Sequence, residues 1–554
     1  MRSKVFAGVA LGGLSLLLSA GPSWTRDTVV DPVAASAMCS NEAASVGSTP
    51  PAAAPVAAKP PVMLPGFGNN HWTIATKSPE AQRWFDHGLT LARAFAHDEA
   101  KVAFKEAVRL DPDCAMCAWG QAWADGPTIN YPINAKEKAE ALKVAIRAQT
   151  LAANGPEAER LLTAALVRRY AEGDKAFADA MVALADRFPR DDEIAVWTAD
   201  AEMVAEGDDK ARPRVKTAVA LLETVLARNP DHTGAIHFYI HATEWDDEPG
   251  KAVPYADRLK GLAPGASHLI HMPSHTFFWV GRYRDAANAN LAAIDVDEAW
   301  IKTTGWDKAP WQVPYFGHNV RFALGGAMMA GDSAAGLKIA DRYAAVPLDV
   351  LTNPYAQSGV GASWAAYGRF LDPDAVLAKP DYTDAKLGFV KAMRHYARGE
   401  ALARKGDARG VRVEAALIKP AGHRMLKVQM EIAKLVLVGR ADMLEGRYGD
   451  AAKAFRKAAE RQEKVLGNHG DPPTWWYPVR RSLAAALLAD GRAAPAGEEA
   501  RAVLKYWIDD PMALVVLSRS EGAIGRDRQA AEALSKARAG WSGGAVTAVS
   551  LNAI

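Results

Sequence analysis

Two histidine pairs repeat each other at a fixed interval in the middle of the chain. His237 and His241 recur as His271 and His275, each displaced by 34 residues. That interval is the length of a tetratricopeptide (TPR) unit, a helix–turn–helix that stacks on its neighbours. The spacing therefore predicts that two adjacent repeats carry the same imidazole pair at equivalent positions, and we expect function to lie there.

The rest of the chain also shows helical repeats. Alanine is abundant, β-branched runs are scarce, and apolar residues recur at helical spacing through most of the 554 residues. In the first clear unit, Trp84 and Gly88 fit the first helix, Ala100 fits the crossing with the second helix, and Pro112 ends the unit. Stacked units bury a continuous core and leave a concave surface. The sequence predicts an all-α fold, an α-solenoid of TPR-like helix–turn–helix repeats.

Composition divides the chain into segments. We predict a signal peptide (1–23), a disordered Ala/Pro-rich linker (24–70), an N-terminal TPR array with a His-rich groove (71–345), an irregular insertion (346–382) and a C-terminal TPR-like array (383–545). Arg2 and Lys4 precede a short apolar core and small residues, as in an export signal. That core is shorter than the ~20 residues of a membrane span. We expect a periplasmic or secreted protein with no membrane span in the mature chain.

The charge balance bears on the class of partner, and the cysteines bear on the redox chemistry of the protein. Lys and Arg total 66 against 64 for Asp and Glu, so no nucleic-acid partner is expected. Cys114 and Cys117 form CAMC at a predicted helix start. In an oxidising compartment this pair suits a structural role better than a redox role, and the sequence leaves open whether a disulfide forms.

Several motifs resemble a family of exported bacterial TPR-containing proteins whose function is uncharacterised. The similar stretches, between about Trp84 and Arg492, are FAHDEAKVAFKEAVRLDPDCAMCAWG, HFYIHATE, SHLIHMPSHTFFWVGRY, YFGHN and DPPTWWYPVRRSLAAALLADGR. The HxxxHxxE and HMPSH elements are the most distinctive of these. The family's HN-x-H is HNVR here, so Arg321 stands where a histidine is usual. The resemblance implies the repeat fold and a pocket, and it names no reaction.

The histidines and one glutamate form a candidate metal site. With Thr233 and Ser267 as the first residues of their helices, the paired histidines fall at fifth and ninth positions, which face the groove. Imidazole is a preferred ligand of several transition metals, and a carboxylate can complete the shell. We predict a transition metal (copper, zinc or iron) bound by His237, His241, Glu244, His268, His271, His275 and His318.

Glu244 is also the candidate catalytic residue. It could be a ligand, an orienter of a histidine or a general base toward metal-bound water. The intervening glutamate of a metalloprotease HExxH motif is missing from HFYIH and HMPSH, which excludes that class. Pro273 is expected to bend its helix or mark a first turn. The candidate substrate-binding residues are Trp245, Trp279, Tyr315 and Arg321.

Two hypotheses follow for function. The first is a metal-binding pocket in the concave groove, in a protein that could act as a metal-dependent enzyme on a small substrate. The second is a TPR scaffold that recognises a peptide or protein partner, with the histidines as a structural stack. The partner is a small-molecule or peptide ligand in the groove. Peptide-binding TPR grooves favour Lys, Arg and Asn, whereas this one has His, Glu and aromatics, which favours the pocket.

Overall fold

The computed structural model of the protein describes residues 61–68, 70–207, 211–304, 309–344, 346–347, 351, 354–382, 385–467 and 470–554. The predicted signal peptide lies outside the described residues. So do residues 24–60 and 69 of the predicted linker, and the first two residues of the predicted C-terminal array.

Most of the described residues lie in helices. The helices of the first half are α1 (Pro79–Arg93), α2 (His97–Leu110), α3 (Ala115–Ala124), α4 (Ala135–Leu151), α5 (Glu157–Glu172), α6 (Asp174–Arg187), α7 (Asp192–Ala205), α8 (Pro213–Arg228), α9 (Thr233–Trp245), α10 (Val253–Leu262), α11 (Ser267–His271), α12 (Pro273–Trp279) and α13 (Tyr283–Thr304).

Those of the second half are α14 (Phe316–Ala330), α15 (Ser333–Ala344), α16 (Pro354–Phe370), α17 (Pro373–Ala378), α18 (Gly388–Arg404), α19 (Ala408–Leu417), α20 (Arg424–Leu444), α21 (Tyr448–Arg461), α22 (Arg480–Ala489), α23 (Ala493–Leu504), α24 (Pro511–Ala523) and α25 (Asp527–Gly540). Single turns lie at Ala152–Asn154, Pro249–Ala252, Pro310–Gln312, Ala385–Leu387, Gln462–Leu466, Val546–Ala548 and Leu551–Ala553. No strand occurs among the described residues.

Packing follows the predicted repeat plan. Each of α1, α7 and α20 packs on the helix that follows it, as in a repeat unit. The first helices of neighbouring units also pack on each other, and they form an inner layer: α1 on α3, α3 on α5, and α7 on α9. At the first crossing, Ala100 is fully buried and the Phe104 ring lies against Gly88, where an added Cβ would stand 2.7 Å from it. Small residues at the crossing let the helices approach closely. The α-solenoid prediction is confirmed.

The solenoid winds tightly enough to close on itself. Helix α1 packs against α9, eight helices further along. From the other end, the Trp507 ring lies 5.9 Å from that of Phe278, and the Tyr283 hydroxyl donates to the carbonyl of Ile508 at 2.9 Å. Helix α1 and the segment around Trp507 therefore both return to the central repeats. The concave face, expected to be an open groove, is an enclosed interior at the histidines.

The segment predicted to be an irregular insertion is largely helical. Helices α16 and α17 occupy most of the described residues of 346–382. Both begin with proline, at Pro354 and Pro373, where the missing N–H has no intrahelical partner in any case. The prolines that suggested irregular chain are helix starts. The remaining domain boundaries stay predictions.

Two further features bear on the predictions. Cys114 and Cys117 are joined in a disulfide, with Cα atoms 5.3 Å apart, at the start of α3. Both side chains are buried, and the structural role that the sequence favours stays a prediction. Within the described part of the chain, no helix combines the length and apolarity needed to cross a bilayer.

Candidate metal centre

Four short helical stretches bring six histidines together. They are His237 and His241 on α9, His268 and His271 on α11, His275 on α12 and His318 on α14. Helices α9 and α11 begin at Thr233 and Ser267, as predicted from the repeat register. All six side chains are buried, with at most 5% of the surface exposed. Direct access for a peptide is therefore closed off at this point of the groove.

Pro273 interrupts the helix that carries three of these histidines. Helix α11 ends at His271 and α12 begins at Pro273, but the backbone of Met272 between them keeps helical angles (φ −51°, ψ −39°). Pro273 therefore marks the first turn of α12, one of the two predicted outcomes, and it does not separate the pair. The Nε2 atoms of His271 and His275 lie 2.9 Å apart.

The six histidines form two sets of three, which we call the first triad (His237, His241 and His268) and the second triad (His271, His275 and His318). The second triad has the shorter distances. The Nε2 atom of His271 lies 2.9 Å from that of His275 and 3.1 Å from that of His318. Ligand atoms of all three lie within 4.8 Å of one another. Two imidazole nitrogens on one tetrahedral zinc ion, each at about 2.0–2.1 Å, stand roughly 3.3 Å apart. The spacing in the second triad is close to that separation.

Hydrogen bonds fix which ring nitrogen faces the centre. Asn290 donates its amide to the carbonyl of Ala286 at 2.8 Å, so its Oδ1 is the acceptor for Nδ1–H of His271 at 2.6 Å. His275 Nδ1 lies 2.8 Å from a carboxylate oxygen of Glu244 and donates to it. Nε2 of His271 then presents its lone pair to the centre, with Nε2 of His275 opposite it, and the hydrogen-bonded outer nitrogens are those of metal-ligating histidines.

An aspartate that the sequence analysis missed joins this triad. Oδ1 of Asp471 lies 3.4 Å from both Nδ1 of His275 and Nε2 of His318. Asp471 belongs to the loop before α22, about 150 residues along the chain from His318. Its only sequence signal is its place at the head of the DPPTWWYPVR motif. The carboxylate places a negative charge beside the second triad.

Glu244 lies beside the histidines, and both of its oxygens are engaged. Oε2 accepts from His275, and Oε1 accepts from the indole N–H of Trp279 at 2.7 Å. Of the three roles considered for Glu244, this geometry fits the orienter of a histidine. Trp279 in turn holds Glu244 in position, and its part in substrate binding stays a prediction.

The first triad consists of His237, His241 and His268. The Nε2 atoms of His237 and His268 lie 3.2 Å apart, and Nδ1 of His237 donates to the carbonyl of Arg93 at 2.6 Å. Ligand atoms of all three lie within 4.8 Å of one another. The Phe95 ring packs 4.4 Å from that of His237 and 4.8 Å from that of His268, which keeps water from this side.

The pKa of His275 is shifted in the opposite direction from the pKa values of the other five histidines. Burial lowers the pKa of His237 to about 3, and it also lowers the pKa of His241, His268, His271 and His318 well below the usual value. These rings are neutral, as metal ligands must be. Burial also acts to lower the pKa of His275, but the carboxylates of Asp471 and Glu244 outweigh it and raise that pKa to about 9.

The remaining substrate-binding candidates lie around the triads. The Tyr315 ring packs 4.5 Å from His268, and its hydroxyl accepts from the amide of Asn130 at 3.1 Å. Trp245 is partly exposed, with its ring 6.4 Å from that of His241. Arg321, one turn after His318, lines a cavity of about 30 Å³.

That cavity lies between α14, α16, α18, α20 and the loop after Asp471. Pro473, Thr474, Trp475 and Trp476 form its loop side. The indole N–H groups of both tryptophans are buried and have no hydrogen-bond partner among the described residues. A volume of this size admits one or two water-sized molecules. A polar small molecule would meet hydrogen-bond donors there.

Fold and site together define a helical-repeat protein with a buried histidine centre. No protein-family model matches the chain, and no curated protein matches it. Among solved structures, a human IFIT1 dimer with m7Gppp-AAAA is 12% identical, with 77% of this chain and 90% of that chain covered and a TM-score of 0.32. A monomeric IFIT1 mutant with Gppp-AAAA is also 12% identical, with 84% of this chain and 96% of that chain covered and a TM-score of 0.32.

A Naa15/Naa10 structure bound to HypK-THB is 12% identical, with 83% of this chain and 89% of that chain covered and a TM-score of 0.20. At such identities and scores, the ligands of these proteins carry no inference for this chain.

Proposed function

We propose that this protein binds a transition-metal ion at the second triad. One observation carries the proposal: the Nε2 atoms of His271, His275 and His318 converge at 2.9 and 3.1 Å while hydrogen bonds hold the other ring nitrogens of His271 and His275. A cation bound at this point would take the place of the proton between these nitrogens, because histidine ligands must be deprotonated. Copper, zinc and iron all accept such imidazole sets.

The surroundings of the triad suit this role. Asn290 and Glu244 orient two of the ligands, as the outer partners of metal-bound histidines usually do. Asp471 is placed to act as a fourth ligand or to balance the charge of the ion. The set of three histidines and a carboxylate contains no cysteine, so it suits an ion of intermediate hardness.

We further propose that the centre acts on a small polar reactant. A bound ion would supply Lewis acidity at the second triad. The cavity lined by Arg321, Trp475 and Trp476 adjoins the turn that carries His318 and admits molecules of about the size of water. Arg321 and the two indole N–H groups would bind the oxygen atoms of that reactant. Glu244 keeps His275 in position and holds its Nδ1 proton.

The protein is proposed to work after export, in the periplasm or outside the cell. Two observations support this: the N-terminal residues have the charged, apolar and small-residue order of an export signal, and Cys114 and Cys117 form a disulfide. Cell fractionation and N-terminal sequencing of the mature chain test the proposal. A mature chain that retains Arg2 and Lys4 in the cytoplasmic fraction would contradict it.

Elemental analysis tests the metal itself. The protein would be purified without a polyhistidine tag from its own compartment and compared with the His271→Gln and His395→Gln variants. His395 is the matched control because it pairs with Glu414 at 2.7 Å in the C-terminal array. We expect bound metal in the unmodified protein and in the control, and loss of it in His271→Gln. Metal-free, normally folded protein would make the histidines a structural stack and favour the scaffold hypothesis.

A further inference from the structure

We infer that the first triad, formed by His237, His241 and His268, binds a second metal ion beside the one proposed for the second triad. The inference rests on the proposed function, because it adds an ion to that centre. It differs from a single site shared by all six histidines. The structure divides the histidines into two sets of three, each with ligand atoms within 4.8 Å of one another.

The ring orientation in the first triad matches that in the second. Nδ1 of His237 carries the proton, because its partner is the carbonyl of Arg93 at 2.6 Å, so Nε2 presents a lone pair. That lone pair faces Nε2 of His268 at 3.2 Å. The distance is close to the roughly 3.3 Å between two nitrogen ligands of one tetrahedral ion.

Two buried nitrogens in this triad lack hydrogen-bond partners. They are Nε2 of His241 and Nδ1 of His268, and neither has a partner among the described residues. A buried polar atom left without a partner is unfavourable and is uncommon in native proteins. An ion bound by His237, His241 and His268 would take the lone pair of His241.

The cover over this triad is held in an unusual backbone conformation. Phe95 has φ 55°, in the left-handed region that residues other than glycine rarely adopt. In this conformation its ring packs against His237 and His268 and within 6.1 Å of His241. The ring excludes water from the first triad, and dry surroundings strengthen the interaction of an ion with its ligands.

The two triads adjoin at His241, Glu244 and His275, whose ligand atoms also lie within 4.8 Å of one another. The two ions would therefore be neighbours. The carboxylates of Glu244 and Asp471 approach His275 in the second triad, whereas the first triad consists of neutral imidazoles. Since a nearby negative charge favours a cation, we expect the second triad to fill first and the first triad to fill with lower affinity.

Titration with Co²⁺ tests the inference. Metal-free protein would receive CoCl₂ while the visible absorption of bound cobalt and the mass of the native complex are recorded. We expect two equivalents, bound in two steps. The His318→Gln and His268→Gln variants should each keep one equivalent, from the first and the second triad respectively. The matched control is His97→Gln, whose ring stacks on Phe95 at 5.1 Å but belongs to neither triad, and it should bind two.

The outcomes separate this inference from the proposed function. One equivalent in the unmodified protein, lost in His318→Gln and retained in His268→Gln, would overturn the second site and leave the first proposal standing. No bound cobalt in any protein would overturn both. Loss of both ions from each folded variant would overturn the division into two sites in favour of one shared centre. Circular dichroism of each variant shows that the fold is retained.

Discussion

Two of the buried polar clusters among the described residues are built in opposite ways. In the C-terminal array, the guanidinium of Arg481 meets both oxygens of Asp510 at 3.1 and 3.2 Å, and Arg440 meets Glu400 at 3.3 Å. In the central repeats, by contrast, imidazole nitrogens of His271 face those of neighbouring histidines. The first cluster pairs guanidinium groups with carboxylates, whereas the second brings imidazole nitrogens together beside the carboxylates of Glu244 and Asp471.

The difference separates a structural cluster from a functional one. A buried ion pair carries its own counter-charge and is complete in the folded chain. A set of imidazoles whose Nε2 atoms converge on one point can hold a cation there once they are deprotonated, which guanidinium groups cannot do. Both clusters are equally buried, so burial alone would not have distinguished them. The two clusters are distinguished by the hydrogen-bond and ion-pair partners of each side chain.

The largest expected effect comes from breaking the arginine cluster. Arg481→Met should lower the free energy of unfolding by roughly 3–5 kcal/mol, because Asp510 is left as a buried charge without its partner. The midpoint of urea-induced unfolding measures this loss of stability. The control is Lys453→Met, whose side chain is 82% exposed and whose pair with Asp450 is screened by solvent and should contribute little to stability. A midpoint for Arg481→Met equal to that of the control would mean that the pair is not structural.

The histidine cluster should respond to metal instead. At a free ion concentration of 100 times Kd, one bound ion should stabilise the protein by about 2.7 kcal/mol, and the melting temperature should rise accordingly. In His271→Gln the added ion should give a much smaller shift, because a ligand of the second triad is gone. The comparison is made by thermal melting with and without chelator, and His395→Gln should respond as the unmodified protein does. Equal shifts in both variants would argue against this site.

A third buried group tests whether an incompletely paired charge destabilises the fold. Burial raises the pKa of Asp200 to about 7, with Arg169 only partly opposing it. The folded pKa then exceeds the unfolded value of about 3.9, so the protonated carboxyl favours folding. That contribution is present below about pH 4 and is lost as the pH rises through 7.

Between pH 5 and pH 8 the loss should be roughly 2–3 kcal/mol. Asp200→Asn should remove this part of the pH dependence, as measured by urea unfolding at both pH values in the presence of chelator. The same pH dependence in variant and unmodified protein would show that another group is responsible.

The sequence is informative about what is local and periodic. The helical repeats, the first residues Thr233 and Ser267, and the gathering of the six histidines all follow from residue spacing along single repeats. The described residues of the predicted irregular insertion are largely helical instead, because Pro354 and Pro373 start helices. Metal binding itself stays a prediction.

What spacing does not reveal depends on contacts far apart in the chain. Asp471 reaches the second triad only because the solenoid closes, and the Arg93 carbonyl reaches His237 because α1 packs on α9. The curvature that produces both contacts is the sum of small rotations between many repeats. A change of a few degrees in the rotation between successive repeats would leave every helix formed but would move the Asp471 carboxylate away from the site.

The smallest expected effect tests how the second triad is oriented. Asn290→Ala removes the acceptor of Nδ1–H of His271, so the ring loses the contact that fixes its tautomer. Loss of such an outer partner typically weakens metal affinity by about 10–100-fold. Competition with a chromophoric chelator measures the affinity.

Asn319→Ala is the matched control for that variant. Asn319 is a buried amide next to His318, and its side chain has no hydrogen-bond partner among the described residues. Its removal should leave the affinity unchanged. If the two variants bind metal equally well, Asn290 is part of the packing of α13 and not of the metal centre. A loss confined to Asn290→Ala would show that the histidine cluster, unlike the arginine cluster, is arranged for an ion.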